Sequence, residues 1–220
     1  MNEKYLKLAS FLALVTIFYN IAEGVVSVWF GAEDGAFSLF GFGLDSFVEV
    51  ISGVGVWHMV GRMKASGGEG KDEFEKAALK VTGGAFYVLA AGLTATAAVG
   101  IYQGHRPATT FWGIIISSVS IASMWLLIHY KVKAGRALNS DAILADAACT
   151  RTCLRLSVVL LLASVGYELT GIGYFDSAGT LLIAWLSVGE GKEAFGKAKG
   201  LACSCGGKCH AEAKPVRIKF

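Results

Sequence analysis

Long apolar runs, broken by short charged clusters, dominate the chain. Six of them reach membrane-crossing length, at roughly 7–30, 35–61, 77–102, 108–132, 139–169 and 175–196. The pattern predicts an all-α integral membrane protein of six transmembrane helices. The first run, from Leu6 to Phe30, carries Asn20 and Glu23 and lacks a clear small-residue cleavage site. It reads as a retained span rather than a signal peptide. Six spans put both termini on one side, and Lys and Arg choose that side. Lys4 and Lys7 precede the first span. Arg62, Lys64, Lys71, Lys76 and Lys80 fall between the second and third, and Lys131, Lys133 and Arg136 between the fourth and fifth. The tail adds Lys192, Lys197, Lys199, Lys208, Lys214, Arg217 and Lys219, whereas the opposite loops hold Arg106 alone. Both termini are therefore expected in the cytoplasm. The longest inward loop, at 62–76, contains a solvated GGEGKDE stretch. The division is a membrane domain over 1–200 and a short tail over 201–220, with no soluble C-terminal domain.

Composition agrees with the pattern. Of 220 residues, 54% are apolar and 17% charged, against about 25% charged in an ordinary soluble domain. The mean hydropathy is +0.55. There are 28 glycines and two prolines, and small residues let membrane helices approach closely. Gly83, Gly84 and Gly92 in the third span are candidates for such packing, within the bundle or between protomers. A formal net charge of +3 gives no reason to expect a nucleic-acid partner. Five cysteines split between an apolar run (Cys149, Cys153) and a glycine-rich tail (Cys203, Cys205, Cys209), unlike a disulfide framework.

The polar residues inside the spans change the picture most. An ionisable group in hydrocarbon costs at least about 2.5 kcal/mol, and survives where it meets a cavity, a partner or an ion. Asp45 lies about 15 Å into the second span, and Cys149 about 16 Å into the fifth from the other side, at 1.5 Å per residue. Both reach the midplane of a core about 30 Å thick. Each has a companion at i+4, Glu49 and Cys153, on the same helix face. The spans run antiparallel, so two carboxylates and two thiols can meet at one point. Four donors suit a tetrahedral, zinc-like ion. Read singly, a buried cysteine is more often a small hydrophobe than a ligand. The carboxylates need protonation, a cation or a basic partner; Arg151 and Arg155 are rival partners, although Arg151 points off the face of the cysteines. Glu23, Asn20 and Asp146 either line an access path or hydrogen-bond neighbouring helices, and both readings stand. Asp141 and Asp176 suit helix N-termini, and Glu168 the outer interface. His58, His105 and His129 near span ends stay unassigned. In the tail, Cys203, Cys205, Cys209 and His210 suit metal capture better than an inert role, although C-x-C-x₃-C-H is not a standard zinc knuckle.

Three stretches carry a family resemblance. The second span reads Phe42-Gly43-Leu44-Asp45-Ser46-Phe47-Val48-Glu49, beside a family pattern D-G-x-H/D-S-x-x-D. The fifth reads Ala145-Asp146-Ala147-Ala148-Cys149-Thr150-Arg151-Thr152-Cys153, beside A-D-A-x-H-x-x-x-D. The sixth has Asp176-Ser177 and then Leu181-Leu182-Ile183-Ala184. Over about residues 5–200 the chain resembles the cation diffusion facilitators, secondary transporters that export zinc and related metals. The resemblance implies transport-site ligands at Asp45, Glu49, Cys149 and Cys153, a homodimer, and no enzymatic activity. The expected location is the cytoplasmic membrane of a bacterium or archaeon. Two departures stand out: cysteines replace the family's His and Asp in the fifth span, and the family's soluble metal-binding domain is missing. Thiolates favour softer ions, which points to Zn²⁺ or Cd²⁺, with Hg²⁺ within range. The metal is cargo, and no permanent cofactor is expected. Metal binding displaces protons from its ligands, which supplies proton antiport with alternating access around the site. The alternatives are a membrane-anchored metal sensor or chaperone that does not transport, and a structural protein whose polar groups bond helices together.

Overall fold

A membrane segment has to satisfy its backbone internally, and a long apolar run free of proline does so as a helix. Pro107 accordingly falls in a connection between helices. The computed structural model describes residues 3–66, 73–138, 141–200, 202–204 and 208–210. Six helices run through them: α1 (Glu3–Asp34), α2 (Phe37–Ser66), α3 (Glu73–Gln103), α4 (Phe111–Leu138), α5 (Asp141–Thr170) and α6 (Tyr174–Ala198). Five are long and apolar enough to cross a membrane, over Glu3–Asp34, Phe37–Arg62, Lys76–Gln103, Phe111–Leu138 and Cys149–Thr170. The last helix is long too, but Glu190, Lys192, Glu193 and Lys197 crowd its second half and dilute its apolar character. Helices also outrun the apolar segments. The expected loop at 62–76 narrows, because α2 continues to Ser66 and α3 starts at Glu73; most of GGEGKDE lies outside the described residues. Strong helix formers at the ends of a run extend the hydrogen-bond ladder past the hydrophobic stretch.

The helices pack as three close pairs, α1 with α2, α3 with α6, and α4 with α5. The second helix also touches α3, α5 and α6, which gives it the most central place. Glycine permits the tightest crossings. A Cβ on Gly31 would lie 2.5 Å from the backbone nitrogen of Phe40, so α1 and α2 meet backbone to backbone. Gly83 and Gly191 do the same between α3 and α6, each facing the other's carbonyl oxygen. Gly84 and Gly92 meet no neighbouring atom within 4 Å and point away from the bundle.

Three short connections gather at one end, each with a glycine at positive φ: Gly35 (68°), Gly104 (63°) and Gly171 (67°). Side chains tie this turn end together. The His105 ring is 2.9 Å from the Gly35 carbonyl oxygen and stacks on Phe37 at 4.3 Å. Asp176, at the start of α6, accepts hydrogen bonds from the backbone N–H groups of Phe37 (3.0 Å) and Ser38 (3.1 Å). It therefore caps α2 as well as beginning its own helix. Glu168 caps α4 likewise, accepting from Thr110 N–H and from the Thr109 hydroxyl.

Two apolar layers bracket the middle of the bundle. One lies toward the turn end and is built on Leu39, Phe42, Phe86, Leu93, Leu160 and Ile183. The other lies toward the opposite end, between α1, α2, α4 and α5, with Leu6, Met59, Val60, Ala134, Leu138 and Ile143. The polar residues lie between them. Beyond α6, Ala202–Ser204 pairs antiparallel with Lys208–His210 in a small ribbon beside α5 and α6.

Candidate functional site

The i,i+4 spacing on α2 and α5 brings a carboxylate and a thiol into contact at the centre of the bundle. The Cys153 thiol donates to Glu49 Oε1. From the other side, Asn20 on α1 donates through Nδ2 to Glu49 Oε2 at 3.0 Å. Glu49 is thus fixed by two neighbouring helices. Cys153 stands 3.4 Å from the Cys149 carbonyl oxygen, one turn back on the same face. The Cys149 sulfur takes a hydrogen bond of 2.7 Å from Lys197 Nζ on α6.

These groups line a cavity of about 570 Å³, its open mouth included. Glu190, Glu193 and Thr82 share its wall with Glu49, Cys149 and Cys153. Asp45 does not. It is 2% exposed, one turn nearer the turn end, and accepts from Ser187 Oγ at 3.4 Å. At the cavity wall, Asn20 Oδ1 and Thr82 Oγ1 are buried with no hydrogen-bond partner among the described residues. Buried oxygens in that state are costly unless water or a cation meets them. Two ion pairs stand at the wall. Lys131 Nζ lies 2.9 Å from Asp146 Oδ2 and 3.0 Å from Thr150 Oγ1. Lys197 Nζ lies 2.7 Å from Glu193 Oε1. Lys131 and Glu193 are each 2% exposed, whereas Lys197 and Asp146 rise to 13% and 16%. The mouth therefore opens beside Lys197 and Asp146, away from the turn end.

Among the described residues, no group of three or more His, Cys, Asp or Glu converges tightly enough to hold a metal ion. The donors instead satisfy one another: Glu49 with Cys153, Cys149 with Lys197, Asp45 with Ser187. Buried polar groups take whatever partner is at hand, and a cation would have to replace these bonds.

The residues expected around the site divide by position. Asn20 and Asp146 line the cavity and hydrogen-bond across helices as well. Glu23 stands apart from the cavity wall. It accepts from the Tyr19 hydroxyl (2.9 Å) and from Ser46 Oγ on α2 (3.1 Å), a helix-bonding role. Arg151 and Arg155 are exposed, so the carboxylate–arginine pairing does not occur. In the tail, Cys203 is paired in register with Cys209, and Ala202 with His210, while Cys205 lies outside the described residues. Lys131, Lys197, Glu190 and Glu193 were not expected here. Lys131, Glu190 and Glu193 fall in the last turns of their apolar runs and Lys197 just past one, where charges read as flanks. The spacing of Glu190, Glu193 and Lys197 at i, i+3 and i+7, continuing the face of Ser187, was the available signal. No protein-family model matches the chain, and no curated protein matches it.

Proposed function

We propose that the chain is a secondary transporter that exports a soft divalent cation of the Zn²⁺, Cd²⁺ and Hg²⁺ group, Zn²⁺ or Cd²⁺ foremost, from the cytoplasm in exchange for protons. It would use all six helices as spans, with both termini inside. One observation carries this reading: a carboxylate and a thiol from different helices meet in a polar cavity at the middle of an apolar bundle. Such a group is expensive to keep in a membrane without a task. Metal would be held by Glu49, Cys153 and Cys149, with Asp45 joining from the next turn as the helices shift. Binding to deprotonated ligands releases the Cys153 proton and any carried by the other donors. The cavity mouth, at the end opposite the short turns, is the cytoplasmic entrance on the charge rule. When the site faces outward, protons return to these atoms and the metal leaves. The cation diffusion facilitator resemblance fits this scheme, and with it a homodimer, for which the outward glycines Gly84 and Gly92 on α3 offer a contact face.

The test is flux into proteoliposomes carrying a lumenal pH dye. For molecules inserted with the cytoplasmic face outward, Cd²⁺ entering the lumen should raise lumenal pH in step. Uptake indifferent to collapse of the proton gradient removes the coupling. Tight, Cys153-dependent binding with no flux would favour the membrane-anchored sensor or chaperone instead.

A further inference from the structure

The thiol of Cys149 is met by a cation that belongs to the protein. Lys197 Nζ lies 2.7 Å from Cys149 Sγ and 2.7 Å from Glu193 Oε1, at the mouth of the cavity. An ammonium group donates hydrogen bonds and accepts none, so it engages the same lone pairs that a metal would use. We infer that Lys197 is a tethered cation that fills the metal's place at Cys149 while the site is empty, and that it withdraws when metal binds. The inference rests on the reading of Cys149 as a metal ligand.

Geometry makes the two occupants exclusive. A zinc ion sits about 2.3 Å from a thiolate sulfur. An ammonium in contact with that same sulfur would be repelled by the divalent charge at short range, in surroundings that screen poorly. Lys197 also has somewhere to go. Glu193 lies one turn back on the same helix and is nearly fully buried, so the ammonium can swing off the sulfur and keep its carboxylate. The four-carbon stem of lysine permits such a swing, which a planar arginine fork would not allow as freely. The exchange replaces one cation by another, so the Cys149 sulfur is never left without a positive partner. The same lysine returning to Cys149 would help to expel the metal. Lys197 would then set both affinity and release, as a specificity and release residue that is not itself a ligand.

The experiment uses the full chain with Cys203, Cys205 and Cys209 changed to Ser, so that tail thiols contribute nothing. Cd²⁺ binding is read by the part of the thiolate-to-metal charge-transfer absorption that Cys149→Ser removes, and export by proteoliposome flux. Lys197→Gln should bind Cd²⁺ about tenfold tighter or more and export it more slowly at saturating metal. Lys197→Arg, which keeps the charge but swings less freely, should bind no tighter than wild type. Glu193→Gln combined with Lys197→Gln preserves the charge balance and should show the same tightening if the single variant fails to fold. A wild-type chain without Cys149-dependent absorption overturns the metal-site reading, and this inference with it. A wild-type band together with unchanged binding in Lys197→Gln and in the double variant overturns the inference alone. Weaker binding in Lys197→Gln overturns it too, since it would make Lys197 an activator of the thiol.

Discussion

Cys153 and Glu49 touch, so changing either one alters both a ligand set and a hydrogen bond. Cys153→Ser keeps the size and the hydrogen-bonding ability but removes the soft donor. Its affinity for Cd²⁺ should fall at least about tenfold further than its affinity for Mn²⁺, because thiolate is what selects the softer ion. Competition titration of the two metals on the tail-thiol-free chain checks this. Lys131 poses a different question. It is buried against Asp146 and Thr150 and touches neither cysteine. Lys131→Met leaves the partly buried Asp146 carboxylate without its counter-ion and should cost about 1–3 kcal/mol of stability. Pairing it with Asp146→Asn should recover most of the loss, read by thermal unfolding in detergent. The two i,i+4 pairs could be read from the chain because ionisable residues in an apolar run stand out and helical spacing assigns their face. Lys131, Lys197, Glu190 and Glu193 could not. They sit where apolar runs fade, and charges there are read as solvated ends; only the packing of α6 against α3 and α5, and of α4 against α5, turns them inward.

At the scale of elements, the helices were legible from their apolar runs, but their ends and neighbours were not. Hydropathy stops where charges begin, whereas the helical ladder of α2 continues to Ser66 and that of α4 to Leu138. Neighbour choice depends on which glycines face another backbone, and spacing alone does not separate Gly83 from Gly84. The structure separates them. Gly31→Ala would drive a Cβ to 2.5 Å from the Phe40 nitrogen, and backbone cannot yield as a side chain does. It should destabilise by about 1–3 kcal/mol despite the better helix propensity of alanine. Gly84→Ala meets open space and should be neutral or stabilising by up to about 1 kcal/mol. Unfolding midpoints of the two variants in the same detergent decide the matter. Equal effects would mean that α1 and α2 are not held at backbone contact.

For the whole molecule, metal affinity should rise with pH, because metal competes with protons for the same donors. Between mildly acidic and mildly alkaline buffer, Cd²⁺ binding should tighten, and each bound ion should release measurable protons in unbuffered solution. Binding insensitive to pH would remove the source of the antiport. The turn end has a further consequence for motion. Asp176 staples α6 to α2, Glu168 staples α5 to α4, and His105 bridges from the α3–α4 connection to Gly35. The cavity and its displaceable lysine lie toward the other end. The molecule is therefore built like tongs with a riveted joint: switching access would swing the jaws about that joint and leave the rivets closed. In hydrogen exchange, the backbone amides of Phe37 and Ser38 should be among the slowest in the protein, and cadmium should leave them unchanged while it slows exchange at the mouth.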